Sequence, residues 1–301
     1  MSNPGAADGS GGLAAAGAGQ PAGQPGTRSG VPSGARSSGN RPVALQLYTV
    51  RDEIGAGRAA VLRRLAGFGY RTVEPYDVLT DPDVLRAELD AAGLGVCSVH
   101  TRPFGDDAEA AFRGARTVGA GTVIVPHIPP GRFADADGVQ AVASELNEAA
   151  RRAAQHGLRL GYHNHDFELS TLVGGRPALE VMAGQLDPEV LLEVDTYWAA
   201  VGGQDVPALL GRLGPRVRYL HVKDGPVTKD DPMTAVGAGK MPVAEILAAS
   251  PSVEWNVVEL DACATDMMTA VADSLTWLVN HGLADQPGAA DPLGPAGPNG
   301  S

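Results

Sequence analysis

The sequence predicts an α/β fold, a single barrel of eight parallel strands with a helix after each strand, and three observations support this prediction. Short apolar runs alternate with longer stretches whose apolar residues recur at helical spacing, which is typical of a parallel sheet covered by helices. The alternation repeats eight times between residues 42 and 284. About 240 residues is the usual size of a closed (β/α)8 barrel, so closure is favoured over an open sheet.

Both ends of the chain depart from this pattern. Residues 1–41 and 285–301 consist largely of Gly, Ala, Ser, Pro, Asn and Gln, with hardly any large apolar side chain. Segments of that composition bury too little apolar surface to offset the entropy lost on ordering. We therefore predict two disordered tails around one barrel domain that spans residues 42–284.

The eight units follow one another without a gap. The strands are predicted at residues 43–48, 72–74, 96–100, 122–127, 158–162, 190–194, 217–222 and 255–260. The helices are predicted at residues 57–68, 83–92, 107–118, 138–156, 177–183, 206–213, 243–249 and 267–279. Several helices stop at a glycine that can adopt a left-handed conformation, namely Gly69, Gly93, Gly157, Gly214 and Gly282.

Composition and charge exclude several classes of function. The formal net charge is −12, from 23 basic and 35 acidic residues, and no Lys/Arg cluster is present, so nucleic acid and anionic membranes are not expected partners. No apolar run approaches the length of about 18 residues that a transmembrane helix needs. Cys97 and Cys263 lie in apolar surroundings and are predicted to be free thiols, which fits a reducing cytoplasm.

Polar residues gather at the carboxyl ends of the predicted strands, where a barrel of this kind carries its active site. The fifth strand leads directly into His163-Asn164-His165. The remaining strand ends supply Gln46, Tyr48, Glu74, Tyr76, Ser98, His100, His127, Glu193, Asp195, His221, Lys223, Glu259 and Asp261. Five of the seven histidines belong to these ends, which indicates a functional site at one rim of the barrel.

The alternation of side chains along a strand narrows the choice, because every second residue faces the inside of the barrel. One inward residue from each of strands five to eight gives the set His163, Asp195, His221 and Glu259. Two imidazoles and two carboxylates suit one divalent ion, with Mn²⁺, Co²⁺ or Zn²⁺ favoured over Mg²⁺ because of the nitrogen ligands. A lone strand-end histidine is more often a hydrogen-bonded rim residue, but four such ends on consecutive strands favour a metal site.

These residues resemble the sugar phosphate isomerase/epimerase superfamily, the xylose-isomerase-like TIM barrels, over residues 43–282. The resemblance rests on Leu45-Gln46-Leu47-Tyr48 and the residues after it, Gly69-Tyr70-x-x-Val73-Glu74, Tyr162-His163-Asn164-His165, Asp195-x-Tyr197-Trp198, His221-Val222-Lys223-Asp224 and Val258-Glu259. It implies a metal-dependent enzyme that acts on a sugar. Endonucleases of the same fold carry a His three residues after the sixth-strand Asp, where this chain has Trp198, so DNA repair is not expected.

One position departs from the pattern of the ketose 3-epimerases in this superfamily. Those enzymes hold their metal with Glu, Asp, His and Glu on strands five to eight, and the two glutamates also act as an acid/base pair. Asp195, His221 and Glu259 match three of these positions, whereas His163 stands where the epimerases have Glu. Chemistry with a single base, such as isomerisation or β-elimination next to a carbonyl, therefore fits as well as epimerisation.

The favoured interpretation is an isomerase or epimerase that removes a proton next to the carbonyl of a sugar or keto-sugar, through an enediolate stabilised by the metal. Glu259 is the predicted base, and His165 and Lys223 are predicted to return the proton or to bind hydroxyls. The predicted substrate-binding residues are Tyr48, Glu74, His100, His127 and Trp198.

Two other functions remain open from the sequence. A lyase or dehydratase acting on a keto-inositol or a 3-keto-glycoside would use the same metal and enolate chemistry. A barrel without catalytic activity that binds a sugar is the second. For Lys223, a simple salt bridge with Asp224 or Glu193 is as well supported as a catalytic role. The expected partner is a small sugar or sugar derivative, and the oligomeric state is left open, a homo-oligomer included.

Overall fold

The computed structural model describes residues 41–285. Disorder was predicted for residues 1–41 and 285–301, and all of these except Arg41 and Asp285 lie outside the described residues. Arg41 forms a parallel bridge with Ala284, and its guanidinium donates a hydrogen bond to the Leu247 carbonyl at 3.0 Å. The two ends of the barrel domain therefore lie side by side.

Nine strands form one parallel sheet in the order β3-β2-β1-β11-β10-β9-β6-β5-β4. Their bounds are β1 (Val43–Gln46), β2 (Thr72–Glu74), β3 (Gly95–Val96), β4 (Val99–His100), β5 (Thr122–Val125), β6 (Arg159–His163), β9 (Leu191–Asp195), β10 (Val217–Val222) and β11 (Trp255–Val258). A separate antiparallel hairpin consists of β7 (Leu172–Val173) and β8 (Arg176–Pro177). The predicted strands five to eight thus correspond to β6, β9, β10 and β11.

The third predicted strand is divided into β3 and β4. β3 pairs with β2, and β4 pairs with β5. The Cys97 and His100 amides donate to the Val73 and Pro75 carbonyls at 3.2 and 2.8 Å, which joins the two edges of the sheet. The predicted barrel is confirmed, but the prediction of an unbroken third strand was wrong. Ser98 lies in the break, and its hydroxyl donates to Glu74 Oε1 at 2.5 Å.

Ten helices connect the strands in the described part of the chain. Their bounds are α1 (Arg51–Phe68), α2 (Pro82–Ala92), α3 (Ala108–Thr117), α4 (Ala136–Gln155), α5 (Phe167–Ser170), α6 (Ala178–Ala183), α7 (Thr196–Val201), α8 (Val206–Leu213), α9 (Val243–Ala248) and α10 (Met267–Asn280). Short 3-10 turns lie at Leu47–Val50, Gly105–Asp107, Pro130–Phe133 and Gly214–Arg216. Helices α5 and α7 were not predicted, because each is short and directly follows a polar strand end that was interpreted as a loop.

Helix α1 begins at Arg51 and not at the predicted residue 57. Gly57 has an extended backbone, with φ 164° and ψ 89°, so the helix is interrupted there. Glycine is poorly suited to a helix interior. Because of Gly55 and Gly57, the spacing of apolar residues did not predict the first turns of this helix.

The inside of the barrel is apolar at its lower end and polar at its upper end, the end where the strands finish. Ala44, Cys97, Ile124, Tyr219, Trp255 and Val257 form a buried cluster within the barrel. Tyr219 and Val257 stand two residues before His221 and Glu259, so the same inward face changes from apolar to polar along each strand. The lower layer shields the polar residues from solvent on that side.

Two further predictions can be compared with the described residues. Cys97 is buried, Cys263 is half-buried, and both are free thiols, as expected. Within residues 41–285, no helix combines the length and the apolar character needed to cross a membrane.

Candidate metal centre and active site

The upper ends of β6, β9, β10 and β11 bring the four predicted metal ligands together. One ligand atom from each lies within 4.8 Å of the other three, in the set His163, Asp195, His221 and Glu259. The strand register explains this convergence, because His221 pairs with Asp195 and His163 pairs with Glu193 on the next strand. All four side chains are buried. Their role as metal ligands remains a prediction.

His221 contacts a carboxylate through each ring nitrogen. Nδ1 lies 2.6 Å from Glu259 Oε2, and Nε2 lies 2.8 Å from Glu74 Oε2. Burial alone would lower the pKa of His221, but Glu193 and Glu259 raise it well above its ordinary value. The carboxylates around this ring therefore favour positive charge, either a proton or a metal ion.

Lys223 is buried among three carboxylates. Its Nζ lies 2.9 Å from Asp195 Oδ2, 2.7 Å from Glu259 Oε2 and 2.7 Å from Asp261 Oδ2. Burial opposes the charge, yet these carboxylates raise the pKa of Lys223 well above its ordinary value. The ammonium therefore stays charged.

The alternative in which Lys223 pairs with Asp224 or Glu193 is wrong. Asp224 faces a loop instead, where its carboxylate accepts hydrogen bonds from the amides of Gly225, Gly237, Gly239 and Met241. Successive side chains of an extended chain point to opposite faces of the sheet. Because Asp224 follows Lys223 directly, its side chain points away from the inside of the barrel.

Asp195 uses its two oxygens differently. Oδ1 caps α7 by accepting a hydrogen bond from the Trp198 amide at 2.8 Å. Oδ2 lies next to Lys223 Nζ but outside hydrogen-bonding geometry, and it has no hydrogen-bond partner in the described structure. Burial raises the pKa of Asp195 to about 6. A ligand that binds Oδ2 therefore shares this oxygen with the Lys223 ammonium, 2.9 Å away.

A cavity of about 350 Å³ opens above these groups. Its wall includes six of the predicted catalytic and substrate-binding residues: Tyr48, His100, His127, His165, Lys223 and Glu259. Tyr76 and Asp261 also line the cavity, although no catalytic or binding role was predicted for them. Both stand two residues after a residue that was chosen, Glu74 and Glu259, so the alternation of side chains was the signal that could have identified them.

Glu74 does not line the cavity, so its predicted contact with substrate is not supported. It is fully buried, and its Oε2 accepts a hydrogen bond from Gln46 Nε2 at 2.8 Å and contacts His221 Nε2. β2 ends at Glu74, which leaves this side chain one layer deeper than the ends of the longer strands β6 and β10. Glu74 orients the His221 ring.

Trp198 also lies beside the cavity and not in its wall. Its indole Nε1 donates a hydrogen bond to Asp261 Oδ2 at 3.1 Å, and Lys223 Nζ lies 5.6 Å from the ring centroid. Asp195 starts α7 at this point and so fixes the backbone of Trp198. The structure does not place Trp198 in the cavity wall; it contacts Asp261, which lines the wall.

His165 projects into the cavity from the loop after β6. Its ring stacks on Phe167 with centroids 5.7 Å apart, and it meets His127 edge-on at 5.3 Å. Burial and the nearby Lys223 lower the pKa of His165 to about 4, so the imidazole is neutral at pH 7. The loop is held by Glu168, which accepts hydrogen bonds from the His165 amide at 2.9 Å and the Tyr162 hydroxyl at 2.5 Å.

Comparison with known proteins agrees with this architecture. A segment of 84 residues, 28% of this chain, is 36% identical to the inosose dehydratase of Mesomycoplasma hyopneumoniae (strain 7448). The chain matches only 27% of that relative's length.

Two solved structures share the fold. A sugar phosphate isomerase/epimerase from Parabacteroides distasonis ATCC 8503 has a TM-score of 0.68 at 23% identity, covering 82% of this chain and 98% of that chain. A xylose isomerase-like TIM barrel protein from Mycobacterium smegmatis, in complex with magnesium, has a TM-score of 0.60 at 15% identity, covering 82% of this chain and 98% of that chain. At these identities the likeness establishes the fold alone.

The family assignment rests on a broader match. The family model described as xylose isomerase-like TIM barrel matches residues 62–278, which is most of the chain. The solved structures with this fold include one named as a sugar phosphate isomerase/epimerase and one named as a probable 3-DHS dehydratase. The resemblance inferred from the strand-end motifs is confirmed, and the chain belongs to the xylose isomerase-like TIM barrel family.

Proposed function

We propose that this protein is a metal-dependent enzyme that removes a proton next to the carbonyl of a sugar or keto-sugar, with isomerisation or epimerisation as the result. The observation that supports this most strongly is the convergence of two imidazoles and two carboxylates within 4.8 Å, beneath a cavity of about 350 Å³. A small polyol fits a cavity of this size.

The donor atoms present fit a divalent ion. Asp195 Oδ2 is buried and lacks a hydrogen-bond partner in the described structure, and His163 Nε2 lies 3.7 Å from it. Two nitrogens with two oxygens suit Mn²⁺, Co²⁺ or Zn²⁺. His163, Asp195, His221 and Glu259 would hold the ion. When bound, it would polarise the substrate carbonyl and so stabilise the enediolate that proton removal produces.

Glu259 is the proposed base. Its burial would raise its pKa, but Lys223 and His221 hold the pKa well below its ordinary value, so the group is ionised. It lines the cavity, and a carboxylate in that position can accept a proton from a bound sugar.

Lys223 and His165 take different parts in this proposal. The Lys223 ammonium has too high a pKa to return a proton, so it binds a substrate oxygen and stabilises negative charge there. The neutral imidazole of His165 has a buried Nδ1 without a hydrogen-bond partner in the described structure. That ring orients a hydroxyl and can relay the proton that returns to the substrate.

Dehydration is the second candidate, and one feature of the cavity favours it. The carboxylates in the wall, Glu259 and Asp261, both follow β11, whereas the other titratable residues in the wall are histidines, tyrosines and Lys223. A carboxylate base on a single wall suits β-elimination, because epimerisation needs proton transfer on two faces. The local identity to an inosose dehydratase supports the same candidate.

Proton exchange in D₂O separates the two reactions. The protein, loaded with Mn²⁺ or Co²⁺, is incubated with ketoses and keto-inositols and followed by NMR. Deuterium in an intact isomer or epimer supports the first candidate, and loss of water supports the second. If neither exchange nor elimination occurs with any metal, the barrel without catalytic activity is the better description.

We predict that Glu259→Gln lowers kcat at least about 100-fold, because it removes the base while keeping the shape of the side chain. Glu245→Gln, at an exposed position in α9, is the matched control and should retain wild-type turnover. Steady-state kinetics on the substrate identified in D₂O measure both. Equal turnover in Glu259→Gln and in the control would exclude Glu259 as the base.

The remaining predictions from composition are unchanged. A cytoplasmic location and the absence of nucleic-acid binding stay predictions, based on the acidic charge and the two cysteines. A homo-oligomer stays open.

A further inference from the structure

A second set of buried ligand atoms adjoins the predicted metal ligands and includes Glu193, which stands two residues before Asp195 on β9. It consists of His100, His163, Glu193 and His221, and we refer to it as the lower cluster. One ligand atom from each lies within 4.8 Å of the other three. His163 and His221 also belong to the upper set, which they share with Asp195 and Glu259.

The two shared histidines turn different nitrogens toward the two sets. His221 places Nδ1 2.6 Å from Glu259 Oε2 and Nε2 3.1 Å from Glu193 Oε2. His163 places Nε2 3.7 Å from Asp195 Oδ2 and Nδ1 3.2 Å from Glu193 Oε2. Each ring therefore offers one nitrogen upward and one downward.

Three ring nitrogens crowd one oxygen of the lower cluster. In addition to the two contacts above, His100 Nε2 lies 2.6 Å from Glu193 Oε2. His221 Nε2 lies closer to Glu74 Oε2, at 2.8 Å, so His100 and His163 are left to share this oxygen of Glu193. His163 Nδ1 and Glu193 Oε1, both buried, have no hydrogen-bond partner in the described structure. The hydrogen-bond network therefore leaves one ring nitrogen and one carboxylate oxygen of this cluster unused, and a metal ion bound by one atom of each residue would use the free nitrogen of His163.

Lys223 distinguishes the two positions. Its ammonium forms ion pairs with Asp195 and Glu259, so an ion in the upper set has to share two ligands with a fixed positive charge. In the described structure, Lys223 forms ion pairs with Asp195, Glu259 and Asp261, but not with Glu193 or Glu74. The lower cluster thus accepts a cation without disturbing Lys223.

We propose that the lower cluster is a second position for a transition-metal ion, bound by His100, His163, His221 and Glu193. Three imidazoles and one carboxylate suit Zn²⁺ or Co²⁺. The ligands come from β4, β6, β9 and β10, so the ion ties four strands together across the barrel. Since the two positions share His163 and His221, one ion per chain occupies either of them. This proposal does not depend on the proposed reaction.

Cobalt binding tests the proposal with two matched double variants of the full-length chain. Asp195→Asn with Glu259→Gln neutralises the upper ligands, and His100→Gln with Glu193→Gln removes the lower ones. The metal-free proteins are titrated with Co²⁺, visible absorption reports the coordination, and the bound metal is counted by elemental analysis. Thermal unfolding confirms that each variant is folded, and the single substitutions Glu259→Gln and His100→Gln replace any pair that is not.

The two variants should behave oppositely. We expect the variant without upper ligands to retain one equivalent of Co²⁺ with the intense absorption of a four-coordinate nitrogen-rich site, and the variant without lower ligands to lose that spectrum. The proposal is overturned if the first variant binds no Co²⁺, or if the second keeps the wild-type spectrum. A lack of turnover in the wild-type protein would refute the proposed function and leave this result untouched.

Discussion

Lys223 shows how a single residue controls the charge of the site. It is 1% exposed and forms ion pairs with three carboxylates that come from β9 and from the end of β11. Without the ammonium these carboxylates would be buried together with uncompensated negative charge, which costs far more than the pairing gains. The sequence motif predicted a functional lysine, but it did not reveal which acids surround it.

We predict that Lys223→Met lowers the free energy of unfolding of the metal-free protein by about 3–5 kcal/mol, because it leaves buried carboxylates without their partner. Added Mn²⁺ should restore more stability to this variant than to the wild type, since the ion replaces the missing charge. Urea denaturation with EDTA and with Mn²⁺ measures both effects.

Lys229→Met is the matched control for this substitution. Lys229 is largely exposed and pairs with Asp166 at 2.7 Å, so its loss should cost no more than about 1 kcal/mol. Equal losses in the two variants would contradict the role assigned to Lys223.

Glu168 is a second residue whose environment sets its chemistry. Burial raises the pKa of Glu168 to about 7, from an ordinary value of 4.5. Between these two values the folded protein holds a proton that the unfolded chain has released. The shifted pKa of Glu168 therefore stabilises the folded protein most below about pH 4.5. This stabilisation is lost as the pH rises from about 4.5 to about 7, and the free energy of unfolding no longer changes with the ionisation of Glu168 above that pH.

We predict that the free energy of unfolding of the wild type, relative to Glu168→Gln, falls by on the order of 3 kcal/mol between pH 4.5 and 7, because glutamine does not ionise. Urea denaturation of both proteins from pH 4 to pH 8 gives the difference. A difference that does not change with pH would show that Glu168 titrates normally in the folded protein.

Among the structural elements, the loop between β10 and α9 is organised by one carboxylate. Asp224 accepts hydrogen bonds from four loop amides, at distances from 2.8 to 3.1 Å. The glycines of this loop allow the backbone to approach that carboxylate closely. A Cβ atom at Gly239 would lie 2.1 Å from Asp224 Oδ1 and 2.3 Å from the Gly225 nitrogen. Packing against Asp224 thus explains why this segment is rich in glycine.

We predict that Gly239→Ala lowers the free energy of unfolding by about 1–3 kcal/mol, because the added methyl group forces the loop away from Asp224. Gly211→Ala is the matched control, because a Cβ there meets no atom within 4 Å and the position lies in α8. The control should gain up to about 1 kcal/mol from helix propensity. Denaturant unfolding measures both, and a stabilised Gly239→Ala would refute the packing explanation.

The element scale also shows where sequence patterns lose information. The strands were located within a few residues because apolar runs and their boundaries are local features. The division of the third strand was not predicted, since the hydrogen bond from Ser98, in the break, to Glu74 joins residues that are far apart in the sequence. The start of α1 was missed because Gly57 interrupts the pattern from which helices are recognised.

At the scale of the whole molecule, either metal position joins four strands from different parts of the chain. An ion that binds the folded protein and not the unfolded chain stabilises it by about 2.7 kcal/mol at a free concentration 100 times its Kd. We predict that Mn²⁺, Co²⁺ or Zn²⁺ raises the melting temperature of the chelator-treated protein by several degrees. Thermal scans in EDTA and with each ion provide the measurement.

A variant that retains the fold is the control for the thermal scans. His163→Gln removes a ligand shared by both metal positions, so its melting temperature should respond little to the same ions. A wild-type protein whose melting temperature is unaffected by all three ions would exclude both metal positions.

The sequence by itself determined the class of fold, the order of the eight units and the rim at which polar residues gather. These follow from local apolar spacing and from the alternation of side chains, which neighbouring residues largely decide. Only the tertiary structure decided the depth of each side chain. Glu74 lies beneath the cavity because β2 is short, Trp198 turns toward Asp261 because Asp195 caps α7, and Lys223 meets three acids because distant strands end together. Distances between strands depend on register and strand length around the whole barrel, which a single stretch of sequence does not contain.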